Sequence, residues 1–429
     1  MDSEQADNSE QFRQTEALLS AAMAFAVCGD ALTRDDLSGP GRLERLMEAQ
    51  GALMAAAGPG HRVRFTGLLE RLTGAETGSM AGLMPEWADP GSLDGLRFLD
   101  VDGVTPGEAF DFRLEAERVI RAAKKVGRFA GRVTFTALED EHSQESVFSA
   151  IKGPYYERHR TNLIEHPVVL DQEPADGITD RPALADLDLP TRAIDFYRPV
   201  PQHARYRGWW FPCPACKWPM KVSVYHSEGR DQGSAWCLYP WHEQTGATYR
   251  FEPTQGEPPV LNPVFPCGVP HGRQGELWTG CVPEVPQAQP VDGHKALVRS
   301  VWRSTCVPGL PELRLHRVLN RHLQGTGWRA ELWVDGDRID LHVANDDDGQ
   351  QRKAAFPADF KDYTFVSHLV DKLHMDSGDK GDAKWLVVPD HRDAQVATLD
   401  PVCRGYGMRA ITASGYVDEV LAAIREGRA

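Results

Sequence analysis

Ala330-Glu331-Leu332-Trp333-Val334-Asp335-Gly336-Asp337-Arg338-Ile339-Asp340-Leu341-His342-Val343, followed after an acidic loop by Ala354-Ala355-Phe356-Pro357-Ala358-Asp359-Phe360-Lys361, is the stretch on which the reading of this sequence turns. Asp335-Gly336 between two apolar-alternating runs is a hairpin signal. Side chains alternate along a strand, so Ile339, Leu341 and Val343 share one face and Asp340 lies on the other with Arg338 and His342. The same alternation puts Asp359 and Lys361 together, opposite Ala358 and Phe360. Two acids on adjacent strands, with a lysine two residues from the second, have the composition of a divalent-metal and water-activating cluster.

Working outward, Leu310 to Leu323 reads as a helix with Pro311 in its first turn. On a helical wheel Glu312 lies beside Leu315, Leu319 and Leu323, while Arg314, Arg317 and Arg321 fall opposite. An acid on an apolar stripe is costly unless a metal, a buried Arg or water meets it. Downstream, Tyr363 to Leu373 reads as a helix, Trp385 to Val388 as a buried strand and Val417 to Ile424 as a closing helix.

Upstream, Cys213-Pro214-Ala215-Cys216 precedes Cys237 and His242. Three thiolates and one imidazole at these spacings satisfy tetrahedral zinc, and four protein ligands make a structural site. Cys267, His271, Cys281 and His226 compete for the fourth position, and a redox or open catalytic site is the alternative. Trp209, Trp210, Trp218, Trp236 and Trp241 surround these ligands with Arg205, Arg207, Lys217 and Lys221. They either stack on unpaired nucleotides or form the core of a small metal-held domain.

The chain has 429 residues, with 62 Asp+Glu against 47 Lys+Arg and a net charge of −15. That acidity argues against a protein that simply coats nucleic acid. Its distribution is uneven, however. Asp171 to Asp188 holds six acids and one base and reads as an exposed spacer, whereas Leu297 to Arg329 holds six arginines and one acid, Glu312. The basic stretch is where a duplex is expected, with Arg303, Arg314, Arg317 and Arg321 as its contacts. Residues 15 to about 130 read mainly as helix, and Gly107 to Gly131 carries a basic face that either tracks phosphate or is merely solvated. No apolar run is long enough to span a bilayer and the polar start lacks a secretory signal, so a cytoplasmic protein with all eight cysteines as thiols or metal ligands is expected.

The order of helix, hairpin acid and strand Asp-x-Lys resembles the PD-(D/E)xK nuclease superfamily from about Val301 onward. Asp stands where Glu is more frequent in D/E-x-K, and no Pro precedes Asp340. Cys213-Pro214-Ala215-Cys216-Lys217-Trp218-Pro219-Met220, Val301-Trp302-Arg303 with Pro308-Gly309-Leu310-Pro311-Glu312-Leu313, and Asp359-Phe360-Lys361-Asp362-Tyr363 together resemble the restriction-endonuclease-like component of prokaryotic PIWI-RE modules. The resemblance implies an αβββαβ core with Glu312, Asp340, Asp359 and Lys361 as catalytic residues and the three acids holding Mg2+ or Mn2+. It also implies anti-phage or anti-plasmid defence beside a PIWI-like protein and a DinG-like helicase.

The expectation is a multidomain α+β protein: a helical region over 1–168, an acidic linker over 169–197, a zinc ribbon over 198–290 and a nuclease core over 295–429. Its expected activity is metal-dependent endonucleolytic hydrolysis of DNA, and cutting both strands suggests a homodimer or paired recruitment. The alternative is a catalytically silent, nuclease-like adaptor that binds DNA or proteins through the ribbon.

Overall fold

A computed structural model describes residues 38–73, 83–85, 102–125, 145–172, 181–227, 229–345 and 354–427, with scattered positions before 38 and at 97 and 100. The principal helices are α1 (Gly39–Ala57), α2 (Phe65–Thr73), α3 (Gly107–Lys125), α4 (Tyr156–Glu165) and α5 (Val307–Leu323). Then come strands β1 (Trp328–Trp333), β2 (Ile339–Asn345) and β3 (Ala354–Phe360), helix α6 (Val366–Met375), β4 (Trp385–Val388), α7 (Asp393–Gly405), β5 (Arg409–Thr412) and α8 (Ala413–Arg425). The chain divides into two compact units, residues 1–142 with 363–376, and residues 143–362 with 377–429.

The first unit is helical. Leu46, Ala49 and Leu53 of α1 pack with Leu68 and Leu72 of α2 and with Ala109 and Phe112 of α3. Among the described bases of the α3 face expected to track phosphate or meet water, Arg113 is buried beside Glu117, and Arg118, half-buried, lies over the Tyr363 ring. Lys124, Lys125 and Arg128 carry no described side chain. The buried acids of α3 meet the start of α6. Glu115 accepts the backbone N–H groups of Thr364 at 2.6 Å and Phe365 at 3.0 Å, and Asp111 accepts the Thr364 hydroxyl at 2.7 Å. These two N–H groups lie at the N-cap of α6 and just before it, so the carboxylate satisfies the chain entering the helix and sits at the positive end of the helix dipole.

The second unit contains a five-stranded sheet in the order β1-β2-β3-β4-β5. The first three strands are antiparallel and the last three parallel. Parallel neighbours need crossover connections, which α6 and α7 supply. α7 is not among the elements expected from the sequence. β4 is continuously apolar, as a strand covered on both faces should be. In β3, Pro357 cannot donate to the ladder; its register against β2 slips at this point and Phe356 takes φ 55°. The resulting bulge accommodates the proline inside the sheet and leaves Ala358 to Phe360 in regular parallel pairing with β4.

α5 starts earlier than its sequence suggests. A helical turn at Arg299–Val301 and a widened π-type turn at Trp302–Cys306 run directly into it, and Pro311 lies inside the helix rather than in its first turn. Pro308 and Pro311 lack the N–H that an α-helix needs and crowd the carbonyls one turn back, a physical reason for widening the turn beside them.

The stretch 169–197 is not an open spacer among the described residues. Val168–Leu170 and Tyr197–Pro199 flank His294–Leu297 in a three-stranded antiparallel sheet, and Leu184, Leu187 and Ala193 are buried. Apolar leucines between the acids anchor it.

Lys221–Ser227, Arg230–Trp236, Thr248–Phe251 and Asn262–Pro263 form an antiparallel meander beside the cysteine knuckle. Trp210 and Trp218 are fully buried, and Trp218 stacks on Trp302 with centroids 4.4 Å apart. These two tryptophans are therefore core, as a small domain requires. Cys267 and Cys281 form a disulfide, against the expectation that every cysteine is a thiol or a metal ligand; their Cα atoms lie 5.8 Å apart, within bridging distance.

α4 and α5 approach closely at Gly309, where a Cβ would lie 2.4 Å from Ile164 Cδ1. Gly309→Ala is expected to cost about 1–3 kcal/mol through overpacking. Urea unfolding should show a lower midpoint; an unchanged midpoint would show that the helices separate freely.

Candidate active site and metal cluster

β2 and β3 bring three of the sequence-predicted residues together. Asp340 is buried in β2; its Oδ2 accepts the Phe360 backbone N–H at 2.7 Å and the Lys361 ammonium at 3.1 Å. Lys361 Nζ also donates to Asp359 Oδ1 at 2.7 Å and to the Phe360 carbonyl at 3.0 Å. The lysine reaches both acids because Asp359 and Lys361 lie on one side at the end of β3. Asp359 Oδ2 is buried with no hydrogen-bond partner.

Electrostatics separates the two aspartates. Burial alone would raise Asp340, but Lys361, Arg160 and the Phe360 N–H lower it below the usual carboxylate value. For Asp359, burial and the neighbouring Asp340 prevail over Lys361 and push the carboxyl up to about 6. Burial opposes the charge on Lys361, yet the two aspartates hold it well above the ordinary lysine value. It is a firmly protonated donor and cation.

Glu312 is buried on α5 beside this group, but its Oε2 faces elsewhere: it accepts Arg160 Nη2 at 3.0 Å and the Trp333 indole N–H at 2.6 Å. Arg160, from α4, also pairs with Asp337 and lies over the Trp333 ring at 4.4 Å. A buried arginine is thus what meets the acid on the apolar stripe. Burial first, then the charges of Asp340 and Asp337, push Glu312 up to about 8 against the lowering by Arg160 and Trp333. Arg160 and Asp337 were not singled out in the sequence. Arg160 shares its buried helical face with Tyr156, Leu163 and Ile164, the same charge-on-a-stripe pattern that marked Glu312.

The Cys3His set converges. The ligand atoms of Cys213, Cys216, Cys237 and His242 all lie within 4.8 Å of one another, and all four residues are buried. Cys216 and Cys237 sulfurs are 3.9 Å apart; His242 Nδ1 is 3.8 Å from Cys213 and 3.6 Å from Cys237. A tetrahedron with metal–sulfur bonds of about 2.3 Å has edges near these lengths. The cluster could hold a metal such as zinc. Lys217, in the left-handed region at φ 63°, closes the knuckle by donating its N–H to the Cys213 carbonyl at 2.9 Å. Among the rivals for the fourth position, His226 is exposed beside Asp231, and Cys267 and Cys281 are joined to each other. Among the described residues this is the one such group of three or more ligands, so Glu312, Asp340 and Asp359 do not form a cluster of that closeness.

The arginines expected to meet DNA are dispersed. Arg303 is buried with its guanidinium over the Tyr239 ring at 4.8 Å, which removes it from any surface. Arg314 is half-buried and donates to the Trp278 carbonyl. Arg317 and Arg321 are exposed and pair with Glu165 and Glu276.

No described helix is long and apolar enough to cross a membrane. No curated protein and no solved structure matches the chain. A family model does match, over residues 309–428, and is described as REase associating with pPIWI_RE. The match begins in α5 just before Glu312 and ends after α8. It contains Glu312, Asp340, Asp359 and Lys361 and leaves out Arg160 and the Cys3His cluster. Less than a third of the chain is covered, but it is the part that carries the acids and the lysine: residues 309–428 are similar to the restriction-endonuclease component that associates with PIWI-RE proteins.

Proposed function

We propose that the chain is a metal-dependent DNA endonuclease built on a PD-(D/E)xK core, acting in defence against phage or plasmid DNA beside a PIWI-like protein and a DinG-like helicase. The observation that carries the reading is the meeting of Asp340, Asp359 and Lys361 at adjoining strands within the family-matched segment. The donor set fits a hard divalent cation: two carboxylates, one with a buried oxygen that has no partner. Mg2+ or Mn2+ held there would polarise the scissile phosphate and stabilise the leaving oxygen.

The residues divide the remaining work. Asp340 and Asp359 would hold the cation. Lys361, kept charged by both, orients the attacking water by hydrogen bonding and offsets charge on the phosphorane. Glu312, with Oε2 already engaged, contributes through its other oxygen or through a water. Zinc in the Cys3His cluster is structural, since four protein ligands leave no position for a reactive water. Arg317 and Arg321 are the surface cations that could exchange their carboxylate partners for phosphates, because exposed ion pairs are weak. Cutting both strands calls for two sites, from a homodimer or paired recruitment.

One observation favours a second reading, a silent adaptor: Glu312 is engaged by protein groups rather than turned to Asp340 and Asp359. Plasmid nicking with Mg2+ or Mn2+ separates the two. Asp359→Ala and Lys361→Ala should each slow nicking by at least about a hundredfold. Equal cutting by wild type and both variants would remove the nuclease site, and no cutting by wild type even with the PIWI and helicase partners would favour the adaptor.

Glu312 also makes a pH-dependent contribution to stability in the absence of divalent metal. Its carboxyl releases its proton near 4.5 when unfolded and near 8 when folded. The native state therefore binds the extra proton between those values. The contribution is full below 4.5 and falls as pH rises towards 8, with a slope of up to about 1.4 kcal/mol per unit. Urea midpoints from pH 5 to 8 should fall more steeply for wild type than for Glu312→Gln; parallel profiles would show that the carboxyl is ionised throughout.

A further inference from the structure

Lys361 is followed directly by Asp362, a buried acid that the proposed chemistry does not use. Asp362 Oδ2 accepts the Tyr239 hydroxyl at 2.6 Å, and its Oδ1 accepts Arg392 Nε at 3.1 Å. His391 Nε2 lies 3.6 Å from the same Oδ1. Burial alone would raise this carboxyl, but Arg392, His391 and Arg303 hold it well below the usual range.

Tyr239 stands inside the Cys3His cluster, between Cys237 and His242. Its backbone N–H points at Cys237 Sγ at 3.4 Å, and its ring meets His242 edge-on at 4.8 Å. Its carbonyl accepts the His242 N–H at 3.0 Å, so the loop that presents His242 is hung from this residue. A second route runs beside it: Trp241, next to His242, stacks on His391 at 4.3 Å with planes 9° apart. Two residues of the ligand loop, Tyr239 and Trp241, thus reach, directly or through His391, the carboxylate that anchors the chain next to Lys361.

We propose that Tyr239 and Asp362 are positioning residues that make the placement of Lys361, and through it the cation site at Asp340 and Asp359, depend on the metal held by Cys213, Cys216, Cys237 and His242. Without the metal, three thiols and an imidazole have no common centre, the 237–242 loop loses its fixed geometry, and the Tyr239 hydroxyl is no longer held against Asp362. Misplacing a reacting group by about 1 Å can cost on the order of a hundredfold in rate. The inference rests on the nuclease reading for its catalytic consequence, but the coupling itself is a property of two metal sites. Coupling between binding sites is reciprocal: whatever factor zinc adds to the affinity for Mn2+, Mn2+ adds to that for zinc.

The test uses the full chain as wild type, Tyr239→Phe and Asp362→Asn. Zinc content and zinc affinity are measured by chelator competition with and without Mn2+, Mn2+ binding by electron paramagnetic resonance with zinc present and stripped, and nicking in parallel. Wild type should bind Mn2+ several-fold more tightly with zinc, and zinc more tightly with Mn2+ by the same factor. Tyr239→Phe should retain zinc and a cooperative melt, reduce the mutual factor to near one, and lower kcat for nicking by roughly ten- to a hundredfold while leaving KM for DNA unchanged. Asp362→Asn should behave likewise. A mutual factor of one in wild type, or the same factor in wild type and Tyr239→Phe, would overturn the proposal, as would full nicking by both variants. If Asp359→Ala nicks like wild type, the nuclease reading fails while the zinc–Mn2+ factor still decides the coupling.

Discussion

Carboxyl groups taken out of water must be met by cations or hydrogen bonds, and this constraint organises the second unit. Glu312, Asp337, Asp340 and Asp359 sit about Arg160 and Lys361. A buried charge without a partner is far more costly than the net worth of most pairs, so each element bearing one of these groups is tied to the others. α4 supplies Arg160, α5 supplies Glu312, and the sheet supplies the aspartates and the lysine. The close passage of α4 over α5 at Gly309 brings the arginine to the glutamate.

The same accounting distinguishes the acids by how fully their oxygens are met. Arg160 and Trp333 already satisfy Glu312 Oε2, and Lys361 with the Phe360 N–H satisfies Asp340 Oδ2. Asp359 Oδ2 has no protein partner. More carboxyls than facing cations is an arrangement that a divalent ion would relieve, and this physical imbalance, rather than the three-residue pattern alone, supports the metal-dependent reading. It also explains the separation of the two aspartates, one lowered by its donors and the other raised by its neighbour.

Much of this was legible in the sequence because it was local. The Asp335-Gly336 hairpin, the alternation that sets Asp340 apart from Leu341, and the i to i+2 relation of Asp359 and Lys361 each depend on a few adjacent residues. The spacing of Cys213, Cys216, Cys237 and His242 is similarly short-range. Glu312 on an apolar stripe calls for a metal, a buried Arg or water, but nothing in α5 could say that an arginine 152 residues earlier meets it. The start of α5 was misplaced because Pro311 is a good first-turn residue, whereas a widened turn allows the helix to begin before it. The 169–197 segment misled through composition: its acids concealed leucines whose burial depends on a strand pairing with 294–297. The pairing of Asp362 with Tyr239 spans 123 residues, so no local pattern marks it.

Charge patterning was the least transferable signal. The six arginines between Leu297 and Arg329 suggested a basic surface inside a chain of net charge −15. Folded, Arg303 lies under a tyrosine and Arg314 serves a carbonyl, while Arg317 and Arg321 face carboxylates at the surface. A linear count of bases measures attraction to phosphate only if the bases reach solvent, and of these four Arg317 and Arg321 do. On the nuclease reading proposed above, this combination would give weak intrinsic attraction to DNA. A cutter that binds DNA poorly by itself would act where another protein places the DNA, so on that reading the burial of Arg303 and Arg314 would restrain cutting as well as shape the fold.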